Sequence, residues 1–223
     1  MGFKKQFVPL AGRPMWRRSV EAMLDAGANH VYLIASQGDT VRIYRELNDI
    51  PWREDCTVVI GGQTRHDSVR NGIKQVLRDL STRSDALESI CVAVHDAARP
   101  FVSAEDVQAV HHLAALHGAA ILAEPCKDTV KRISHTDMRI LETLPREALW
   151  LAQTPQIIRG NLLQSVYVDM DAQGVTDDAS LLEMAGLDVH VVAPTSYNGK
   201  ITTPADLELA EWLANRKWSD SAR

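Results

Sequence analysis

Three side chains suited to phosphate chemistry, His95, Asp96 and Arg99, lie together in the stretch VAVHDAARPF, just past an apolar run typical of a buried strand. In open α/β sheets, ligands bind at the edge formed by the carboxyl ends of the strands. There a carboxylate can hold a hydroxyl group or a metal-bound water, and a guanidinium can hold a phosphate. Taken alone, the stretch is more typical of a loop with a surface salt bridge.

A second stretch, VVIGGQTRHDSV, has the same layout of an apolar run, two glycines and the start of a helix. Gly61 and Gly62 allow a ligand to approach the backbone, the helix start offers free N–H groups, and Ser68 offers a hydroxyl. The spacing of a Walker loop is absent. A tight turn explains the two glycines equally well.

Two further polar stretches complete the candidates. In VTDDAS, Asp177 and Asp178 indicate the capped N-terminus of a helix. Joint metal binding by these two residues is the less favoured alternative, because adjacent side chains on a helix point apart. Lys200 follows Gly199 in a turn, where it either binds an anion or is simply solvated.

Alternating apolar runs and amphipathic stretches place these motifs at the ends of strands. The strand patterns are apolar throughout rather than alternating, which is typical of a mainly parallel sheet covered by helices on both faces. Strands are predicted at 30–36, 56–62, 89–95, 119–125 and 188–194, and helices at 14–28, 40–48, 64–80, 102–119, 160–172, 177–186 and from 203 or 204 onward.

Residues 127–148 interrupt this rhythm with alternating polarity around the turn-like sequence SHTD. The pattern predicts a β-hairpin that leaves the main body. With no internal repeat and no linker composition, the chain is interpreted as one domain, 1–223, with a protruding arm.

Composition excludes several classes of protein. The 223 residues carry a formal net charge of −5, which argues against nucleic-acid binding by bulk charge. No apolar run approaches the ~20 residues of a membrane span, and the N-terminus has no secretory pattern. Cys56, Cys91 and Cys126 lack metal-binding spacing, so we expect reduced, mostly buried thiols in a cytoplasmic protein without nucleic-acid or membrane partners.

In their order and spacing, KKQFVPLAGRP, GGQTRHDSV, HDAARPF, DTVKR, LWLAQTPQ, TDDAS and NGKITTPADLELAE resemble the 2-C-methyl-D-erythritol 4-phosphate cytidylyltransferase family over almost the whole chain. The resemblance implies a three-layer α/β/α, Rossmann-like nucleotidyltransferase fold. It also implies transfer of a cytidylyl group from CTP to a sugar-alcohol phosphate with release of pyrophosphate, with Mg²⁺ as cofactor. In the family the arm crosses to a second subunit, so a homodimer through 127–148 is expected.

The resemblance also implies roles for individual residues. Lys5 corresponds to a lysine at the α-phosphate, and Lys200 is in reach of the phosphates of both substrates. Arg146, on the arm, completes the catalytic set. The implied substrate-binding residues are Gly62, Gln63, Ser68, Asp96, Ala97, Arg99, Thr129, Thr154 and Thr176.

The sequence departs from the family at its N-terminus. The family has a strand and a glycine-rich loop, A-A-G-x-G-x-R-M-G, before the position of Lys5, whereas here only Met1 and Gly2 precede Phe3. Without that strand we expect exposed apolar edges on its two neighbours and weak or absent transfer by the 223-residue chain. A start codon assigned too late is favoured over a trimmed chain or a natural short form.

Two alternatives to the methylerythritol phosphate enzyme follow from these observations. Ribitol 5-phosphate cytidylyltransferases share much of the motif set. An inactive nucleotide-binding or dimerisation module is the second alternative, favoured by the N-terminal departure. The presence of Lys5, Arg146 and Lys200 opposes it, because a pure binding module has no need of all three.

Overall fold

The structure, a computed structural model, describes residues 4–81, 87–170 and 175–218. Within these ranges the α-helices are α1 (Met15–Asp25), α2 (Gln37–Leu47), α3 (Arg65–Ser81), α4 (Ala104–His117), α5 (Asp178–Met184) and α6 (Pro204–Trp218). The strands are β1 (Pro9–Leu10), β2 (Arg13–Pro14), β3 (Val31–Ala35), β4 (Cys56–Ile60), β5 (Cys91–Val94), β6 (Ala119–Pro125), β7 (Lys131–Ile133), β8 (Ile140–Thr143), β9 (Trp150–Arg159) and β10 (His190–Val192).

The main-body strands form two sheets. One sheet has four strands in the order β10-β6-β9-β5, and β9 runs antiparallel to both of its neighbours, while β10 and β6 are parallel. The other sheet pairs β3 with β4 in parallel. Within the described residues no ladder joins β3 to β5, so the single sheet predicted from the sequence is divided here.

The same helical layers cover both sheets. On one face, α1 packs Val20 against β3 and β4, and packs Met23 beside α4 and against β5. On the opposite face, α3 packs Ile73 in a core that includes Tyr32 of β3 and Val92 of β5. The α/β/α architecture is therefore confirmed, although both of these strand residues keep partial exposure beside an unpaired edge.

Strand β6 shows why the apolar runs predict this layering. Ala120 and Leu122 face the core beneath α1 and α4, whereas Ala119 faces the core formed with α3 and α5. Because both faces of the strand are covered, its sequence is apolar without alternation.

Helix α4 begins with a cap that the sequence predicts only in part. Ser103 accepts a hydrogen bond from the backbone N–H of Asp106, as an N-cap does. Serine at the N-cap with an acidic residue three positions later resembles a capping box, but within the described residues the Asp106 carboxylate does not return to the cap. It accepts hydrogen bonds from the backbone and hydroxyl of Thr195, and so fixes the segment that leads to residue 200.

Between residues 150 and 172 one predicted helix was wrong and one strand was not predicted. The predicted helix over 160–172 is a pair of short helical turns, Gly160–Leu162 and Gln164–Val168, with residues 171–172 outside the described ranges. Strand β9 was not predicted, because Pro155 lies inside its ten residues and proline argues against a central strand.

Two further sequence expectations can be compared with the structure, and one of them is met only in part. Strands β7 and β8 form the antiparallel hairpin expected within 127–148. The three cysteines are free, as expected, but each is partly exposed rather than buried. No helix in the described ranges combines the length and apolar character required to cross a membrane.

Candidate active site

A single carboxylate, that of Asp96 just past β5, gathers three cationic side chains. Its Oδ2 atom lies 2.7 Å from Lys200 Nζ and 3.9 Å from Arg99 Nε, and its Oδ1 atom lies 3.8 Å from Arg65 Nη2. Burial raises the pKa of Asp96, but the Lys200 hydrogen bond and the surrounding positive charge outweigh it, so the pKa lies below its usual value. We call these four residues the Asp96 cluster.

Arg99 joins this cluster to the loop that carries Lys200. Its guanidinium is buried and donates from Nη1 to the carbonyl of Asn198 at 2.7 Å. Burial lowers the pKa of Arg99, and the nearby Asp96 carboxylate opposes that shift. Among the described residues the Nε atom of Arg99 has no hydrogen-bond partner, and it is buried 3.9 Å from the Asp96 carboxylate.

The loop 198–201 is held by backbone contacts on both sides of Lys200. The N–H of Ile201 donates to the carbonyl of Ala98 at 2.9 Å, and Lys5 Nζ donates to the carbonyl of Ile201 at 3.0 Å. Gly199 lies under the Tyr197 ring, where an added Cβ would come within 2.2 Å of the phenol oxygen. Lys5 thus contacts the same loop that brings Lys200 to Asp96, and both lysines were predicted from the sequence.

The buried side chain of Asn198 holds this loop against strand β9 through hydrogen bonds. Its side chain is 2% exposed and donates from Nδ2 to Gln153 Oε1 and to the carbonyl of Thr154, each at 2.9 Å. Sequence reasoning missed Asn198, because the string YNGK is typical of an exposed turn. No signal in the sequence indicates that this asparagine is buried.

Arg65 was also missed, although its position carries a signal. It is the first residue of α3, where the positive end of the helix dipole disfavours a cation. Its Nη2 atom donates to Asp178 Oδ2 at 2.8 Å, and the buried Tyr167 hydroxyl donates to Asp178 Oδ1 at 3.0 Å. A basic residue at such a site indicates a tertiary partner, which here is Asp178.

The acidic pair at the start of α5 has two separate roles. Asp177 caps the helix by accepting from the N–H of Ser180, which confirms the expected N-cap. Asp178 pairs with Arg65, and its side chain is 3% exposed. The two carboxylates therefore serve different partners, which does not support the metal alternative.

The Gly-Gly stretch forms a tight turn onto α3. The N–H of Gly62 donates to Ser68 Oγ at 3.0 Å, and Ser68 Oγ donates to the carbonyl of Thr64. An added Cβ on Gly62 would come within 2.2 Å of Asp67 Cβ, so only glycine fits. Gln63 is exposed at the tip of this turn.

The other predicted site residues lie in three places: near Asp96, before α5, and on the arm. Thr154 is buried beside Asp96, and Ala97 is exposed on the same loop, with its carbonyl accepting from Ser19. Thr176 is exposed before α5. Arg146 donates to the carbonyl of Lys127 at the base of the arm, and neither it nor the exposed Thr129 bonds to the Asp96 cluster within the described residues.

The Asp96 cluster is suited to polyphosphate chemistry. Three cations around one carboxylate leave a local excess of positive charge in a chain whose formal net charge is −5. Mg²⁺ at nucleotide sites takes one or two carboxylates together with phosphate oxygens and water. Asp96 fits that role. The described residues contain no group of three or more His, Cys, Asp or Glu side chains that would hold a metal unaided.

Comparisons with known proteins agree with this arrangement. The family model for 2-C-methyl-D-erythritol 4-phosphate cytidylyltransferase (IspD) matches residues 1–216. The enzyme of that name from Pelotomaculum thermopropionicum is 38% identical over 212 residues, which are 93% of this chain and 85% of the relative.

Solved structures give the same result. The 4-diphosphocytidyl-2C-methyl-D-erythritol synthase of Anaerococcus prevotii matches with a TM-score of 0.79 and 27% identity, covering 96% of this chain and 92% of its own. The 2-C-methyl-D-erythritol 4-phosphate cytidylyltransferase of Thermus thermophilus matches with a TM-score of 0.75 and 30% identity, covering 95% of this chain and 93% of its own.

The environment of His95 predicts a pH dependence of stability. Burial lowers the pKa of His95 from 6.5 to about 4. Between these values the unfolded chain binds more protons than the folded chain, so the free energy of unfolding falls as the pH falls. We expect His95→Gln to lose less stability than the unsubstituted protein in urea unfolding between pH 7 and pH 5.

The matched control is His112→Gln, since His112 is exposed on the surface of α4. This control should keep the pH dependence of the unsubstituted protein. An identical pH dependence in the His95 variant and the unsubstituted protein would show that His95 does not titrate abnormally.

Proposed function

Because this chain belongs to the 2-C-methyl-D-erythritol 4-phosphate cytidylyltransferase family, we propose that the Asp96 cluster is where it transfers the cytidylyl group of CTP to 2-C-methyl-D-erythritol 4-phosphate. The products are 4-diphosphocytidyl-2-C-methyl-D-erythritol and pyrophosphate. The observation that carries the assignment is the convergence of Lys200, Arg99 and Arg65 on one carboxylate at the carboxyl end of β5.

The proposed reaction is an in-line displacement at phosphorus. A phosphate oxygen of the acceptor attacks the α-phosphorus of CTP, and the bond from that phosphorus to the leaving pyrophosphate breaks. The attacking oxygen is already anionic, so no general base is required. The protein must instead hold two anions together and stabilise the charge that grows on the phosphoryl oxygens.

The proposed roles follow from placement. Lys200 serves the phosphates of both substrates, and Lys5, which contacts the same loop, serves the α-phosphate. Arg99 binds the acceptor side, as the family motif implies, through a buried guanidinium that Asn198 holds in place. When Mg²⁺ is bound, it supplies charge neutralisation for the triphosphate, and Asp96 is the residue that would hold it.

The remaining predicted residues are assigned by position. The Gly62 turn with Gln63 and Ser68 lies at the start of α3, and we assign it to the cytosine and ribose. Ala97 and Thr176 border the same edge of the sheet. These assignments rest on the family motif and on proximity to Arg65, which links the Gly62 turn to the Asp96 cluster.

We further propose a homodimer in which the arm of one subunit completes the site of the other. Arg146 and Thr129 lie on the arm and do not bond to the Asp96 cluster of their own chain within the described residues. Large apolar side chains on and beside the arm are exposed, which favours burial against a partner. They are Met138, Ile140, Leu141, Trp150 and Leu151.

A cytoplasmic location is proposed from the cysteines. Cys56, Cys91 and Cys126 are all unpaired, as is usual in a reducing compartment.

Turnover with two acceptors tests the proposed function. With CTP and Mg²⁺, we expect product from 2-C-methyl-D-erythritol 4-phosphate at least about tenfold faster than from ribitol 5-phosphate, because the two acceptors share the reacting phosphate and selection rests on contacts to the polyol. Faster product from ribitol 5-phosphate would favour that enzyme instead. Nucleotide binding without product from either acceptor, both in this chain and in a form that carries the family's N-terminal strand and glycine-rich loop, would contradict the transfer and favour a binding module.

Mixing two defective variants tests the shared site. Lys200→Ala disables a site through its own chain, and Arg146→Ala disables it through the partner's arm. After subunit exchange, half of the dimers are mixed and each has one intact site, so we expect about a quarter of the unsubstituted activity from an equimolar mixture. A mixture no more active than the two variants measured separately would contradict the crossing arm.

A further inference from the structure

His95, the residue before Asp96, is linked to both ends of the loop from Asp96 to Arg99, directly at Arg99 and through Thr154 at Asp96. Its Nε2 atom lies 3.0 Å from the carbonyl oxygen of Arg99. Its Nδ1 atom lies 3.2 Å from the hydroxyl oxygen of Thr154 on β9. That hydroxyl oxygen also accepts the backbone N–H of Asp96 at 3.0 Å. A chain of hydrogen bonds therefore runs from the first residue of the loop to the last.

The chemistry of these partners fixes where the protons lie. A carbonyl oxygen only accepts, so Nε2 of His95 must carry the hydrogen. In the neutral ring Nδ1 is then an acceptor, and it accepts a hydrogen bond donated by the Thr154 hydroxyl. The Thr154 oxygen in turn accepts from Asp96. Each donor has one acceptor, and both ring nitrogens are used within the protein.

We propose that His95 is a positioning residue, which in its neutral Nε2–H form joins Thr154 to Arg99 and so fixes the Asp96–Arg99 loop. The inference rests on the proposed function, since the loop matters through the two side chains at its ends. His95 has no ring nitrogen left for substrate, so it acts through Asp96 and Arg99 and not on the reacting atoms.

The geometry of the loop explains why such a link affects catalysis. The N–H of Arg99 donates to the carbonyl of Asp96 at 2.9 Å, which makes the segment a tight turn. The carboxylate and the guanidinium thus leave the backbone three residues apart, and a tilt of the turn moves both. A displacement of about 1 Å in a positioned group lowers turnover by roughly 100-fold.

Three substitutions distinguish the hydrogen bond of His95 with Thr154 from its hydrogen bond with Arg99. His95→Leu removes both hydrogen bonds, His95→Asn keeps an acceptor near Thr154, and His95→Gln keeps a donor near Arg99. We expect His95→Leu to lower kcat by about 10- to 100-fold with the KM for CTP changed less than about threefold. At least one of the two polar variants should recover part of that loss.

A second histidine–threonine pair provides the matched control. His30 Nε2 lies 2.8 Å from the Thr57 hydroxyl, between the strands of the smaller sheet and away from the Asp96 cluster. His30→Leu removes a similar hydrogen bond, and we expect kcat within about twofold of the unsubstituted value. An equal fall in kcat in both leucine variants would show a general loss of stability and overturn the positioning role.

Two measurements at pH 7.5 are independent of turnover. Nitrogen-15 spectra of histidine should show the Nε2–H form for His95, and amide exchange at Asp96 should be at least about tenfold faster in His95→Leu. An Nδ1–H form, or unchanged exchange at Asp96, would overturn the inference. Failure of the proposed function is recognised separately, as absence of product from the unsubstituted protein.

Discussion

The carboxylate of Asp96 is the point on which the site depends. Three cations from separate parts of the chain converge on it: Lys200 from the loop before α6, Arg99 from the loop after β5, and Arg65 from the start of α3. Without a negative charge at the centre, these cations would repel one another in a partly buried space. Asp96 therefore allows three cations to lie close together in a net-acidic protein. The cluster as a whole keeps a positive charge, which favours anion binding.

Hydrogen bonds between uncharged groups hold the segments that carry these charged side chains. Asn198 attaches the Lys200 loop to β9 through two hydrogen bonds, and Ile201 attaches it to Ala98. Thr154 of β9 accepts the N–H of Asp96. The antiparallel strand β9 thus holds both loops: the charged side chains form the Asp96 cluster, and buried amides and hydroxyls set the positions of the segments that carry them.

Much of this arrangement could be predicted from the sequence, because apolar runs report burial on both faces and polar residues at their ends report the ligand edge. Asp96 and Arg99 were singled out in this way, whereas Lys200 was singled out by its turn and by the family resemblance. Strand β9 was missed because Pro155 opposes a central strand, and Asn198 was missed because a turn-like string does not reveal burial. Arg65 could have been found from its unfavourable place at a helix N-terminus.

Pairing between distant segments was the least predictable feature. The sequence pattern indicates one mainly parallel sheet, whereas the described strands form two sheets that share the layers of α1 and α3. Local patterns specify which residues are buried, but strand neighbours depend on contacts far apart in sequence. The same holds for Asp178, whose cap-like motif does not reveal its pairing with Arg65.

The most direct test of the Asp96 cluster as the catalytic centre is the turnover number of Lys200→Ala, compared with that of Lys74→Ala. Lys74 lies within α3, nine residues beyond Arg65, and takes no part in the cluster. If Lys200 stabilises the charge that develops during transfer, its removal should lower kcat by about 100-fold or more, while the Lys74 variant stays within about twofold. A kcat for Lys200→Ala within twofold of the unsubstituted protein would contradict the central role of the cluster.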